Sequence, residues 1–487
     1  MNLSEIMRLL NNVSWDDLVP LKEVQTERDI EKFKAKGYLP NFTEKQWVEQ
    51  FPDIDPDKVY FLNGLNVGTV YCDGVVFVNL PVWSKDTVQF KQLRTSLPRI
   101  IREKEEQHKK KEYVRMLLAA PDWAVPKLLS NLLELDGPSD KFYDAFLTFY
   151  TYVNADSSSF GTDIWEKLNR MKSSEQAKET RKYLDRDFEG EEVTVYRGWA
   201  DKSALPERAT SWTPDINVAY FFASRLGTKP MLTTGVVQKD KILEYFPFDR
   251  EDGAEVEIVT LPGQVQVQKT VALMDVGSEM LCANVRKVLS MYKDYAEAVS
   301  RVYQNRKEEH SAHNAKHSTR VLLYALLLAQ MMKLPDADKV RLAEAAAYHD
   351  CGRANDFVDG SHGDASAKVY ESVGKDSVVS FVIRQHCLSD GENRASLQEG
   401  FSEPQRKRCK VLLDVFKDAD ALDRLRFGFA FQTQDGLDVT QLRTAAARDI
   451  VPFASQSVKS VECHKTKSNC SPRAQKAYLA RLRKEYS

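Results

Sequence analysis

The spacing of apolar residues changes along the chain, and each change marks a different kind of structure. Short β-branched and aromatic runs at 58–62 and 74–80 sit among helically spaced segments in the first hundred or so positions, which predicts an α+β region. Residues 102–112 (REKEEQHKKKE) then mix both charges with good helix formers, so a solvated helix or connector is expected there, with a boundary near 110. From 113 to 183 the period is helical, and Asp136-Gly137-Pro138-Ser139 separates one helix from the next. It shortens to strands at 193–196, 231–237, 241–245, 255–260 and 265–271, with one amphipathic helix at 216–225. After about Ala283 it is helical again, through 319–332, 336–347, 365–373, 377–386 and 406–418. The expected fold is therefore multidomain: an α+β region at 1–110, a second α+β domain at 111–285 and an all-α domain at 286–487. No internal repeat is evident.

Composition narrows the partners. The 487 residues carry 69 Lys and Arg against 71 Asp and Glu, a net charge of -2, so no global field draws in nucleic acid or an acidic membrane. Positions 456–487 form a basic tail, with Lys459, Lys465, Lys467, Arg473, Lys476, Arg481, Arg483 and Lys484, but aromatic residues for base stacking are few and a solvated tail or helix is expected. No apolar run reaches the ~18 residues of a membrane span. The first residues lack the features of a secretory signal. A cytoplasmic protein is expected, or one delivered to a host or target cell without a cleavable signal. The 7 cysteines are scattered and include no CxxC pair, which suits reduced core residues. The histidines are not scattered: of 8, six lie between positions 310 and 386.

Those histidines fall in an ordered series with carboxylates. His317 opens an apolar helix, His349-Asp350 closes an alanine-rich one, His362 and His386 follow, and an acidic cluster holds Asp418, Asp420 and Asp423. Imidazole and carboxylate together suit Mn²⁺, Fe²⁺, Mg²⁺ or Zn²⁺. Singly, each histidine reads as a surface or capping residue. The series H…HD…H…H…D, with His349-Asp350-Cys351-Gly352-Arg353 and His362-Gly363, resembles the HD superfamily of metal-dependent phosphohydrolases, including its two-metal phosphodiesterase branch, over about 316–427. The resemblance implies that His317, His349, Asp350 and Asp420 hold one ion, with Asp350 bridging to a second held by His362 and His386. Asp418 is the alternative to Asp420. Arg353 would meet a phosphate oxygen. His310 and His313 fall outside the series and are expected at the surface.

A second series lies in the strand-rich segment: Tyr196-Arg197-Gly198, then Ser211-Trp212-Thr213 followed by Ala219-Tyr220-Phe221-Phe222-Ala223, then Glu255-Val256-Glu257. Strand alternation puts Glu255 and Glu257 on one face. Each segment alone is compatible with an ordinary wet edge strand. In this order they resemble the arginine, Ser-x-Thr and Glu-x-Glu motifs of mono-ADP-ribosyltransferases of the R-S-E class, over about 193–271 with the preceding helices as a lid. The resemblance implies NAD⁺ as substrate: Arg197 gripping its phosphates, Ser211 and Thr213 shaping the nicotinamide-ribose pocket, Glu257 on the ribose and Glu255 as the base.

Together the resemblances imply a bifunctional, toxin- or effector-like enzyme. It would transfer ADP-ribose to a macromolecule, a protein before a nucleic acid, and hydrolyse a phosphoester or pyrophosphate with one or two divalent ions. The alternative is a phosphodiesterase of a nucleotide or cyclic dinucleotide whose transferase-like domain only binds a nucleotide. A scaffold with two inactive domains is the remaining class.

Overall fold

The computed structural model describes residues 15, 18–36, 42–61, 69–80, 88–118, 120–121, 123–137, 139–152, 162–225, 227–247, 255–304, 312–354, 356, 360–458 and 471–486. His310 and the segment 459–470 of the basic tail, with Cys463 and Cys470, lie outside them. The chain forms two compact units, Met1–Tyr183 and Leu184–Ser487.

In the first unit, strands β1 (Val19–Pro20), β2 (Val59–Phe61), β3 (Thr69–Cys72) and β4 (Phe77–Leu80) make an antiparallel meander in that order. Helices α1 (Glu27–Lys34) and α2 (Glu44–Gln50) both start at a threonine capping box, Thr26 with Asp29 and Thr43 with Gln46. Most of the charged run, 102–109, lies in α3 (Val88–Lys109), where Lys104 is buried and donates to the Met116 carbonyl at 2.6 Å. The helices α4 (Tyr113–Leu117), α5 (Val125–Asp136), α6 (Asp140–Tyr152) and α7 (Thr162–Met171) belong to this unit, and α8 (Ser174–Asp187) reaches its edge. Asn131 Nδ2 of α5 donates to Gly74 O at 2.6 Å, and Trp123 packs edge-on against Phe77, tying helices to sheet.

The second unit starts with two three-stranded antiparallel sheets. One has the order β10-β7-β5, from β5 (Glu192–Trp199), β7 (Met231–Gln238) and β10 (Gln266–Ala272). The other has the order β6-β9-β8, from β6 (Ser211–Trp212), β8 (Ile242–Phe246) and β9 (Glu257–Thr260). An isolated bridge from Tyr196 to Thr213 joins them. Helix α9 (Ile216–Arg225) crosses β5 at Gly198, where a Cβ would lie 1.7 Å from the Ala219 carbonyl oxygen, so only glycine lets the helix backbone rest on the strand.

The rest is helical: α10 (Glu279–Tyr303), α11 (Ala315–Met331), α12 (Asp336–Tyr348), α13 (His362–Val373), α14 (Ser377–Gln385), α15 (Asp390–Gly400), α16 (Glu403–Leu422), α17 (Ala445–Asp449), α18 (Val451–Ser457) and α19 (Pro472–Tyr486). Helix α11 is buried on every side from His317 to Ala329 and is the centre of the bundle. The compact units cut the chain differently from the expected division at 110 and 285, because α9 and the Leu232 and Leu273–Met274 positions of the strand segment pack into the bundle's core. Val218, Ala219, Tyr220 and Leu232 belong to the same cluster as Tyr295, Leu326 and Phe416. Hydrogen bonds cross the same seam. Asn217 Nδ2 donates to Asp438 Oδ1 (3.2 Å) and Asn217 Oδ1 accepts from Val439 N (2.8 Å), while Met274 N donates to Asp449 O (2.7 Å) and Phe453 N to Met274 O (3.0 Å).

Candidate metal centre and a second polar cluster

The histidine series meets at one end of the bundle because the helices alternate in direction. His317 is in the first turn of α11, His349 and Asp350 follow the end of α12, His362 starts α13, His386 caps the end of α14, and Asp420 is in the last turn of α16. Local chemistry fixes these ends. Asn314 caps α11 by accepting from Lys316 N and His317 N, and Asp376 caps α14 by accepting from Val378 N and Val379 N. Gly363 lets α13 sit against α14: a Cβ there would lie 2.6 Å from Arg384 O.

Asp350 stands between two pairs of imidazoles. Its Oδ2 is 3.4 Å from His317 Nε2 and 3.5 Å from His349 Nε2, and its Oδ1 is 3.3 Å from His362 Nε2 and 3.6 Å from His386 Nε2. Within each pair the Nε2 atoms are 3.0 Å apart. Asp420 Oδ1 adds to the first pair, 3.3 Å from His317 Nε2 and 3.9 Å from His349 Nε2. Asp418 serves another purpose: buried, it accepts from Arg443 N (2.8 Å) and Thr444 N (2.7 Å) and secures the start of α17.

The donor set fits divalent cations. His349 and His386 donate Nδ1–H to the carbonyls of Ala346 (3.0 Å) and Ile383 (2.7 Å), which leaves each Nε2 lone pair turned toward its neighbour. Converging nitrogens beside a carboxylate need a cation between them, and among the described residues four groups place their ligand atoms within 4.8 Å of one another: His317, His349 and Asp420; His349, Asp350 and His386; His362, His386 and Cys387; and His313, His317 and Asp350. The electrostatics agree. Burial opposes charge on His317, but hydrogen bonds to Asp350, Asp420 and Asp423 outweigh it and hold its pKa well above the usual histidine value. Burial pushes His349 down to about 4. Burial would raise the Asp350 carboxyl, yet the His349 ring and hydrogen bonds from His313, His317 and His362 keep it well below the usual range.

Arg353 lies beside the second pair, its Nη1 3.2 Å from His362 Nδ1 and 3.9 Å from Asp350 Oδ1. Two features escaped the sequence reading. His313, expected at the surface, has its Nδ1 2.8 Å from Asp350 Oδ2; the turn before α11 brings it under the same carboxylate as His317. Asp423 accepts from His317 Nδ1 (2.7 Å), Arg320 and Arg426 Nη1 (2.8 Å). The signal for the second was present: Asp423 follows Asp420, and Arg320 follows His317, at helical i,i+3 spacing.

Residues 314–425 match the family model for the HD domain. That HD segment takes in all six expected ligands together with Arg320, Arg353 and Asp423, and it implies a metal-dependent hydrolase. It leaves His313, one position earlier, outside. Comparison with curated proteins and with solved structures finds no match to this chain. None of the comparisons gives evidence for an ADP-ribosyltransferase domain. Among the described residues, no helix is long and apolar enough to cross a membrane.

The strand-rich segment nevertheless brings part of its series together. Arg197 Nη1 on β5 donates to the Ser211 carbonyl at 2.7 Å, and Ser211 Oγ on β6 donates to Glu257 Oε1 on β9. Thr213 bridges to Tyr196 through both backbone bonds, and its Oγ1 accepts from Asp215 N (3.1 Å) ahead of α9. Trp212 is buried and pairs with Ile258. Glu255 precedes β9, whose pairing starts at Glu257; it is exposed while Val256 is buried, so the alternation of faces runs one step beyond the paired strand.

Proposed function

We propose that the HD segment is a phosphohydrolase centre working with two divalent ions, Mn²⁺, Fe²⁺, Mg²⁺ or Zn²⁺, on a phosphoester or pyrophosphate. The observation carrying this reading is Asp350, with one carboxylate oxygen toward each imidazole pair. His317, His349 and Asp420 would complete one ion's protein ligands, and His362 and His386 the other's. Ions held there supply Lewis-acid polarisation of a phosphoryl oxygen and activation of a water nucleophile. Arg353 presents a planar, permanently charged fork to a phosphate oxygen beside the second pair. His313 and Asp423 orient Asp350 and His317 through their hydrogen bonds. Asp350→Ala tests this: metal content by mass spectrometry and hydrolysis of bis(p-nitrophenyl) phosphate should both be lost. Retention of either rejects the bridging role.

A second activity is favoured by a separate observation, the Arg197, Ser211 and Glu257 chain drawn from three strands. On this reading 111–285 carries an NAD⁺ site functionally distinct from 286–487, with 1–110 as a further α+β region. Arg197 would hold the NAD⁺ phosphates, Ser211 and Thr213 would shape the nicotinamide-ribose pocket, and Glu257 would stabilise charge growing on the ribose as nicotinamide leaves. Glu255, exposed at the mouth of β9, would act on the incoming nucleophile of a macromolecular acceptor, a protein before a nucleic acid. An effector- or toxin-like enzyme that both attaches and trims ADP-ribose would use the two sites in turn. Incubation with labelled NAD⁺ separates the readings. Label on a macromolecule that disappears in Glu257→Ala supports transfer, and saturable NAD⁺ binding without label leaves a nucleotide-sensing phosphodiesterase.

A further inference from the structure

Helix α19 lies far beyond residues 314–425, yet its Arg483 enters the bundle. Arg483 Nε donates to Glu344 Oε1 at 2.6 Å and Nη2 to Glu344 Oε2, a two-pronged pair on a carboxylate that is fully buried. Tyr370 joins both: its hydroxyl donates to Glu344 Oε2 at 2.7 Å and accepts from Arg483 Nη2 at 2.7 Å. Leu479 and Leu482 bury the same face of α19, and Tyr478 OH donates to Asp294 O on α10 at 2.8 Å. The basic tail expected to be solvated thus turns one of its arginines, its side chain 34% exposed, onto a buried carboxylate.

The position of this clamp matters more than its strength. Glu344 is on α12, whose end carries His349 and Asp350, and Tyr370 is on α13, whose start carries His362. A buried carboxylate between two helices would push them apart if unpaired. Arg483 pairs it and gives both helices one anchor. We propose that Arg483 is a positioning residue for the metal centre: from the C-terminal helix it sets the separation of α12 and α13, and with it the distance of His362 from Asp350. The proposal rests on the two-ion reading above. It predicts an asymmetric effect, because the first ion's ligands, on α11, α12 and α16, do not include α13, whereas the second ion's do.

The test is Mn²⁺ titration of the full-length protein, with free Mn²⁺ followed by paramagnetic resonance and the fold followed by circular dichroism. Arg483→Lys keeps the charge but loses the fork; Tyr370→Phe removes only the shared hydroxyl. Wild type should take up two ions. Each variant should bind the first within about threefold of wild type and the second roughly tenfold or more weakly, the scale seen when a ligand's supporting partner is lost. Unchanged affinity for both ions overturns the proposal, as does an equal loss at both sites accompanying a lower melting temperature, which would mark a merely structural clamp. If Arg483→Lys does not fold, Tyr370→Phe decides by the same comparison. Wild type binding fewer than two ions would instead defeat the two-ion reading on which the proposal depends.

Discussion

Asp423 holds Nδ1 of His317, and so fixes Nε2 as the atom turned toward His349 and the carboxylates. Arg320 and Arg426 neutralise Asp423 from other directions, so the orientation is enforced by a buried network. Asp423→Asn keeps the volume but halves the acceptor capacity and removes the charge. It should weaken ion binding about 10- to 100-fold, read by competition with a chelator, while the circular dichroism spectrum stays that of wild type. Equal affinity would strip Asp423 of this role. His313→Gln carries the same expectation: ion binding should weaken about tenfold or more and hydrolysis fall with it, because the lost contact supports Asp350. At this scale the sequence was legible where a residue type announces its chemistry: His349-Asp350 reads as ligands. It was less so for Asp423, whose carboxylate looks like Asp418 and Asp420 on paper. Only the helix face separates the three, and the one that holds the backbone of 443–444 ahead of α17 cannot be told from the one facing the imidazoles without knowing where 443–444 returns.

Among elements, the crossing of α9 over β5 is the tightest contact with a single-residue cause. Gly198→Ala forces a methyl group into the Ala219 carbonyl, so α9 must lift. The expected cost is about 3 kcal/mol, visible as a lower denaturant midpoint, with loss of any NAD⁺ affinity, since Arg197 adjoins Gly198 on β5 and Thr213, bridged to Tyr196, leads into the displaced helix. Wild-type stability in this variant would mean that α9 does not rest on the strand in solution. Periodicity predicted this helix at 216–225 and five of the six strands of the two sheets to within a few residues, because buried positions in β5 such as Val193 and Val195 alternate with exposed ones; the two-residue β6 is too short to show a period. It overran the ladder at Glu255: burial alternates from 255 to 258, but pairing with β6 and β8 begins only at Glu257, so the face pattern is longer than the paired strand.

For the whole molecule, the division at Tyr183 and Leu184 has a thermodynamic reading. Residues 184–487 form one compact unit in which α9, Leu232, Leu273 and Met274 share the bundle's core and Tyr196 of β5 packs against it, so β5 and the bundle should open together. Leu326→Ala, deep in α11, should cost roughly 2–5 kcal/mol. Hydrogen exchange checks the sharing: amides of β5 and of α12 should both exchange faster by a similar factor. Acceleration confined to α12 would show that the strand segment folds separately. The expected boundary at 285 was not a misreading of the pattern, which does change there. Periodicity says which positions are buried, not what they are buried against, and nothing in Val218 or Tyr220 reveals that Leu442 and Phe453 share their core. Asn217 closes that seam with both ends of its amide. A recombinant hybrid that grafted 286–487 onto another enzyme's front half would therefore carry a torn edge, with Asp438 and Val439 stripped of their partner above an uncovered apolar surface. Such chimeras should aggregate, so modular swapping is a poor route for engineering this protein.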